Sequence, residues 1–189
     1  MSSTDTIAII GHSFRLPGGI DTSDDLWRAL VDDSWSKCST SAPPSRLSSA
    51  FEDKTFGEPG PRGGWLGRAG VEEFDPSFFR ISPREAEALR PNTRLALELT
   101  WEALERAAIP PSSLAGKNVS VTIGMGNDDG WDLRQFAQRG PSAFDHYWGL
   151  DAEPSAVAGR VAQFFDFQGA TSTISSACAS GAAALDHGE

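Results

Sequence analysis

Apolar residues in this chain fall into short runs and helix-spaced sets, divided by long polar stretches. Ile7–Ile10 is an apolar run closed by Gly11, the pattern of a short buried strand. Arg15 to Gly19 and the Asp/Thr/Ser cluster after it read as loop. Ser23–Val31 then has the spacing of a short capped helix, with Asp24 and Asp25 in its first turn. Residues 32–73 are rich in Ser, Pro and Gly and have little periodicity. They predict an extended surface excursion, ordered in parts, because Phe51, Phe56 and Trp65 are too apolar for a free linker. Phe74–Phe79 forms an aromatic plug between that excursion and the next helix.

Ser82, Pro83 and Glu85 supply a cap, a first-turn proline and the acid of a capping box. Pro91 breaks or restarts that helix. Beyond it, Arg94, Glu98, Glu102 and Arg106 recur every fourth residue as one polar stripe. Leu97, Trp101, Leu104 and Ala108 lie on one side of the stripe, and Leu95, Leu99 and Ala103 on another. A helix with so narrow a stripe is packed over most of its circumference. Val119–Gly124 reads as a strand, Pro154–Phe165 as a small-residue helix, and Ala170–Ser175 as a second strand. Strands alternating with helices place the chain in the α/β class.

Composition narrows the function classes. Hydrophobic residues are 39% of the 189 and charged residues 22%, values of a globular domain with a core. No apolar run approaches the roughly 20 residues of a membrane span, and the first residues lack the basic and apolar regions of a secretion signal. The formal net charge of −10 argues against nucleic acid, whose binding needs a basic footprint. The two cysteines, Cys38 and Cys178, make no disulfide framework and fit a reducing, cytoplasmic compartment.

The candidate chemistry centres on Cys178. A β-prone run from Thr171 leads into Ala177 and Cys178, and small residues follow. The order strand, sharp turn, thiol, helix start is that of a nucleophile elbow. The free N–H groups and positive dipole end of such a helix favour thiolate over thiol. Ala177, Ala179, Ser180 and Gly181 leave room for a substrate at the sulfur. Composition alone fits a buried core thiol equally well, because cysteine is a small hydrophobe.

Other motifs carry less. Gly124, Gly126 and Gly130 follow a strand, but their spacing departs from G-x-G-x-x-G, so they read as a turn leaving a strand edge. His12, His146 and His187 read as structural or surface residues. His187 would lie roughly 13 Å along the helix axis from Cys178, too far for a direct pair. Asp128, Asp129 and Asp132 read as a solvated loop, and Cys38 as incidental. A cysteine hydrolase would need a histidine beside Cys178, and none is well placed.

Several segments, in order, resemble the N-terminal part of a β-ketoacyl synthase (ketosynthase) domain of a polyketide synthase. Ile7–Gly11 with Arg15–Gly19 is similar to the family's opening strand and R-[FL]-P-G-G loop. Phe74 to Ala86 resembles F-D-x-x-F-F-x-I-S-P-R-E-A, and Arg94 to Glu105 resembles R-L-x-L-E-x-x-W-E-A-L-E. Gly159 to Gly169 is similar to G-R-I-S-x-x-F-x-L-x-G, and Thr173 to Ser180 to the active-site T-V-D-T-A-C-S-S. The resemblance implies a thiolase-like fold, here its incomplete N-terminal half over residues 1–189. It implies that Cys178 accepts an acyl chain for decarboxylative condensation with a malonyl unit. The substrates would arrive on the phosphopantetheine thioester of an acyl carrier protein, with no directly bound cofactor or metal. The other implied partners are the remainder of the ketosynthase domain and a second copy, since the family is homodimeric.

Two departures qualify that expectation. Ser175-Ser176 stands where the family has Asp-Thr, and Arg90 where its D-P-x-x-R motif has Asp. The family's two catalytic histidines lie in a second half absent from these 189 residues. The chain alone is therefore expected to perform no condensation, and to be poorly soluble or partly unfolded where apolar faces lack cover. The alternative is a degenerate, non-catalytic ketosynthase-like piece acting as an interaction or scaffold element.

Overall fold

The structure, a computed structural model, describes residues 7–32, 39–41, 62–66, 73–126 and 129–188. Cys38, Phe51, Phe56 and Asp128 lie outside them. Helix α1 (Ser23–Val31) starts at Thr22, whose Oγ accepts the Asp25 N–H. From the 32–73 excursion, β1 (Ser39–Ser41) and β2 (Arg62–Gly64) pair antiparallel. The plug is an Asx turn: the Asp75 carboxylate accepts the N–H groups of Ser77 and Phe78. It drives Phe79 into the core, stacked on Phe74 and packed against Phe164.

Helix α2 (Pro83–Ala88) begins as predicted, with Ser82 Oγ accepting the Glu85 N–H, and ends before Pro91, which opens α3 (Pro91–Arg106). Helices α4 (Asp129–Arg139) and α5 (His146–Asp151) follow, and neither is signalled by apolar periodicity. Then come α6 (Ser155–Phe165) and, beyond Cys178, α7 (Ser180–His187).

The two predicted inner strands form, each shortened: β3 (Val121–Gly124) and β4 (Thr171–Ile174) pair parallel, with Val121 opposite Thr171 and Gly124 opposite Ile174. Alternation along β3 sends Val121 and Ile123 into the core and Thr122 and Gly124 toward α7. The core joins α3, α6 and the sheet through Phe79, Leu89, Leu97, Val121, Ala158, Val161 and Phe165. Small residues on α6 let it lie close: Ala158 is fully buried and Val161 nearly so.

The polar stripe of α3 grips the chain rather than facing water. Arg15 forms a two-pronged ion pair with Glu102, Ser13 Oγ donates to the Leu99 carbonyl at 2.6 Å, and Arg106 donates to the Asp21 carbonyl at 3.0 Å. Burial pushes the Glu98 carboxyl above its ordinary value, against the pull of Arg15.

One expected strand is not formed. Ile7–Ile10 is in no strand, and Ile9 and Ile10 are 79% and 69% exposed. The loop that follows is held on α3 by the contacts just described. Gly11 lies so close to α3 that a Cβ there would stand 2.5 Å from the Ala103 carbonyl oxygen. These polar anchors fix the loop while the apolar run finds no hydrogen-bonding edge, and a strand without a ladder partner has no stability of its own.

Candidate functional site

Strand β4 ends at Ile174, and the chain turns through Ser175 and Ser176 into a 3-10 turn, Ala177–Ala179, that runs directly into α7. Ala177 is left-handed, with φ of 52°. For a residue with a Cβ this costs on the order of 1 kcal/mol, and the surroundings hold it there. Ser180, 4% exposed, turns its hydroxyl back under the turn. Its Oγ accepts the Ser176 N–H at 2.9 Å and donates to the Ala177 carbonyl at 2.7 Å. From below, Gly124 closes the contact between β3 and α7. A Cβ on Gly124 would lie 2.3 Å from the Ser180 carbonyl oxygen and 2.5 Å from its carbon.

Cys178 stands on this turn as a free, exposed thiol. Its N–H takes no backbone acceptor among the described residues. The N-cap of α7, Ala179, offers no side-chain cap. The exposed sulfur and an N–H with no backbone acceptor thus belong to one residue, on a turn whose carbonyls at Ser176 and Ala177 take the Ala179 and Ser180 N–H groups as α7 begins. A carbonyl brought there would meet a nucleophile and a hydrogen-bond donor.

The sequence reading gave Ser180 to the open space around the sulfur, and the structure corrects it: Ser180 points inward as a brace. Gly124, read as a turn residue, is the floor of the elbow. The available signal was its place at the end of a strand that precedes the cysteine strand, where a helix start must pass close over the sheet.

None of the three histidines is hydrogen-bonded to the thiol among the described residues. His12 Nε2 pairs with Ser23 Oγ at 2.8 Å and its ring stacks on Phe14. His146 meets the Tyr147 ring at the start of α5, and His187 ends α7. The acidic run is not a loop throughout. Asp132 lies on α4; both its carboxylate oxygens accept from one guanidinium nitrogen of Arg90, at 2.9 and 2.8 Å, and one also accepts the Trp148 indole N–H at 2.9 Å. Nearby, Asp151 is 2% exposed and accepts the Arg90 N–H at 2.6 Å and the Thr93 hydroxyl at 2.8 Å. Desolvation holds the Asp151 carboxyl above its ordinary value despite those bonds.

An open apolar groove of about 790 Å³ runs between α3 and β3, lined by Leu95, Leu99, Ile123 and Val161 among others. Cys178 does not line it. Its lining includes Met125, whose N–H bonds to the Ile174 carbonyl at 2.9 Å, four residues before Cys178. No helix among the described residues is long and apolar enough to cross a membrane.

Comparison with known proteins fits this geometry. Residues 4–189 match the family model of the β-ketoacyl synthase N-terminal domain. The chain is 40% identical over 179 residues to the spectinabilin polyketide synthase system protein NorA' of Streptomyces orinoci, covering 95% of this chain and 5% of that protein. It is 36% identical over 186 residues to erythronolide synthase EryA2 of Saccharopolyspora erythraea, covering 94% of this chain and again 5% of the relative. The oxazolomycin ketosynthase domain OzmH KS7 of Streptomyces albus superimposes with a TM-score of 0.73 at 29% identity, over 96% of this chain and 32% of that one. A ketosynthase from module 6 of the bacillaene synthase of Bacillus subtilis gives the same TM-score at 26% identity. This chain therefore has the thiolase-like fold of the ketosynthases, as a partial N-terminal half, and belongs to the β-ketoacyl synthase family of the polyketide-synthase type.

Proposed function

We propose that Cys178 is the acyl-accepting nucleophile of a polyketide ketosynthase. The thiolate attacks the carbonyl of an acyl thioester on a carrier protein's phosphopantetheine arm. A new C–S bond forms to Cys178, the pantetheine thiolate leaves, and a proton reaches it from solvent. In the complete reaction a malonyl thioester then loses CO2, and its carbanion attacks the acyl carbonyl and releases Cys178. The observation that carries this reading is the exposed Cys178 sulfur on a tight turn between β4 and α7, with a Cys178 N–H that takes no backbone acceptor among the described residues.

The second step needs groups that hold the developing enolate, and His12, His146 and His187 are all engaged elsewhere or distant. This chain alone therefore stops at the acyl-enzyme. Condensation requires the remainder of a ketosynthase domain, and the working unit is a homodimer served by a carrier protein in the cytoplasm.

The degenerate reading rests on the family histidines missing from these residues and on the Ser175-Ser176 change, and it stands as the alternative. At the other departure, one guanidinium nitrogen of Arg90 donates to both oxygens of Asp132, which also accepts the Trp148 indole N–H. The test is transfer of a labelled acyl group from a carrier thioester. Label is expected on Cys178, lost in Cys178→Ala, with no carbon–carbon bond formed when malonyl carrier is added. Condensation by these 189 residues alone would overturn the half-reaction assignment, and no transfer at all would favour the scaffold reading.

A further inference from the structure

We infer that Ser180 is a positioning residue: its buried hydroxyl holds the left-handed turn that presents Cys178. The inference rests on the reading of Cys178 as the acyl-accepting thiol, and concerns how that thiol is kept in place.

The turn has a structural problem to solve. Ala177 adopts φ of 52°, a conformation disfavoured for any residue with a Cβ. Ser176, one residue before, has an extended φ of −136° and offers no capping bond of its own to the turn. The Ser176 N–H points inward where no strand receives it, and the Ala177 carbonyl is reached from the helix start by the Ser180 backbone N–H. The Ser180 hydroxyl satisfies both at once, accepting from Ser176 and donating to Ala177. Its side chain spans the turn from Ser176 to the helix start, and Cys178 lies in the segment between Ala177 and Ser180 that these bonds close. Because Ser180 is buried and its carbonyl rests over Gly124, the hydroxyl cannot swing to solvent. Losing it would leave the Ser176 N–H unpaired, leave the Ala177 carbonyl with only the Ser180 backbone N–H, and free Ala177 to relax toward negative φ, shifting Cys178 with it.

The chain carries its own reference thiol in Cys38. Iodoacetamide alkylation of both cysteines, read by peptide mass, gives a ratio that cancels reagent effects. In the wild-type chain Cys178 is expected to react faster than Cys38. In Ser180→Ala the ratio is expected to fall about tenfold, as two lost hydrogen bonds to one turn would produce, and Ser180→Thr, which keeps the hydroxyl, is expected to restore it. A purely structural serine would lower the melting temperature in Ser180→Ala and leave the ratio unchanged, and that result overturns the inference. Equal rates in the wild type would instead sink the nucleophile reading itself. Should Ser180→Ala fail to fold, amide hydrogen exchange on the wild type decides. The Ser176 N–H is expected to be protected although its residue is exposed, and free exchange there would contradict the brace.

Discussion

The Cys178 turn and the amino end of α3 are both helix starts without a capping side chain of their own, yet they are held in opposite ways. At α3 the protein supplies the charge. Asp151 sits buried against the Arg90 N–H and the Thr93 hydroxyl, and the Arg90 side chain is tied to Asp132 and through it to Trp148. At α7 no charge is supplied. The turn is closed from behind by one hydroxyl and one glycine, and its outer surface carries a thiol and a free N–H. A helix start that already holds a carboxylate has its positive end neutralised and serves structure. One held only from beneath keeps that end for a negative charge that develops during reaction.

The contrast can be broken at either end. The largest effect is expected at α3. Asp151→Ala leaves the Arg90 N–H and Thr93 hydroxyl buried and unpaired, and should cost about 3 kcal/mol in denaturant unfolding. Asp151→Asn, which keeps an acceptor, should cost less. The pH dependence has a definite sign. Desolvation raises the folded-state pKa of Asp151 above 3.8, so the folded chain holds this proton more tightly than the unfolded one. Its contribution to stability therefore falls as pH rises upward from 3.8, and is level once the folded carboxyl is ionised. Asp151→Asn should remove that fall, and an unchanged pH profile would contradict the burial argument.

Next in size is Gly124→Ala. The added Cβ meets backbone atoms of Ser180 that cannot yield, so α7 must lift, at about 2 kcal/mol. The same variant should lower the reactivity of Cys178 toward that of Cys38, which links floor to thiol. Arg90→Ala is expected to cost about 1 kcal/mol, because Asp132 is a third exposed and keeps its bond to Trp148. It should leave the Cys178 to Cys38 alkylation ratio untouched, and a change there would mean the two helix starts are coupled. Smallest of all, Cys178→Ser should shift stability by less than about 0.5 kcal/mol, since the exposed thiol carries no packing. A larger loss would place the sulfur in the core.

What the sequence made legible follows the same division. Strand–turn–thiol–helix was readable because β-prone residues, small residues and a cysteine lie next to one another in the chain. The α2 cap and the Pro91 restart were readable for the same local reason. The α3 knot was not, because Arg90, Asp132, Trp148 and Asp151 are brought together across 61 residues of chain by tertiary packing. A replaced Asp read as lost constraint, and the partners that Arg90 finds in its place are visible only in space. Ile7–Ile10 misled in the other direction. Its pattern is that of a strand, but pattern gives propensity, and a strand also needs an edge. Ser180 hid among small residues because a serine that braces a turn and a serine that leaves room are the same letter.

The most direct test compares acyl transfer to the native and the guanidinium-unfolded chain, using a small acyl thioester and mapping the acyl mass to each cysteine. If the folded turn makes the nucleophile, the native chain is acylated at Cys178 well ahead of Cys38 and the preference vanishes on unfolding. Equal labelling of both cysteines in the native chain would contradict the account.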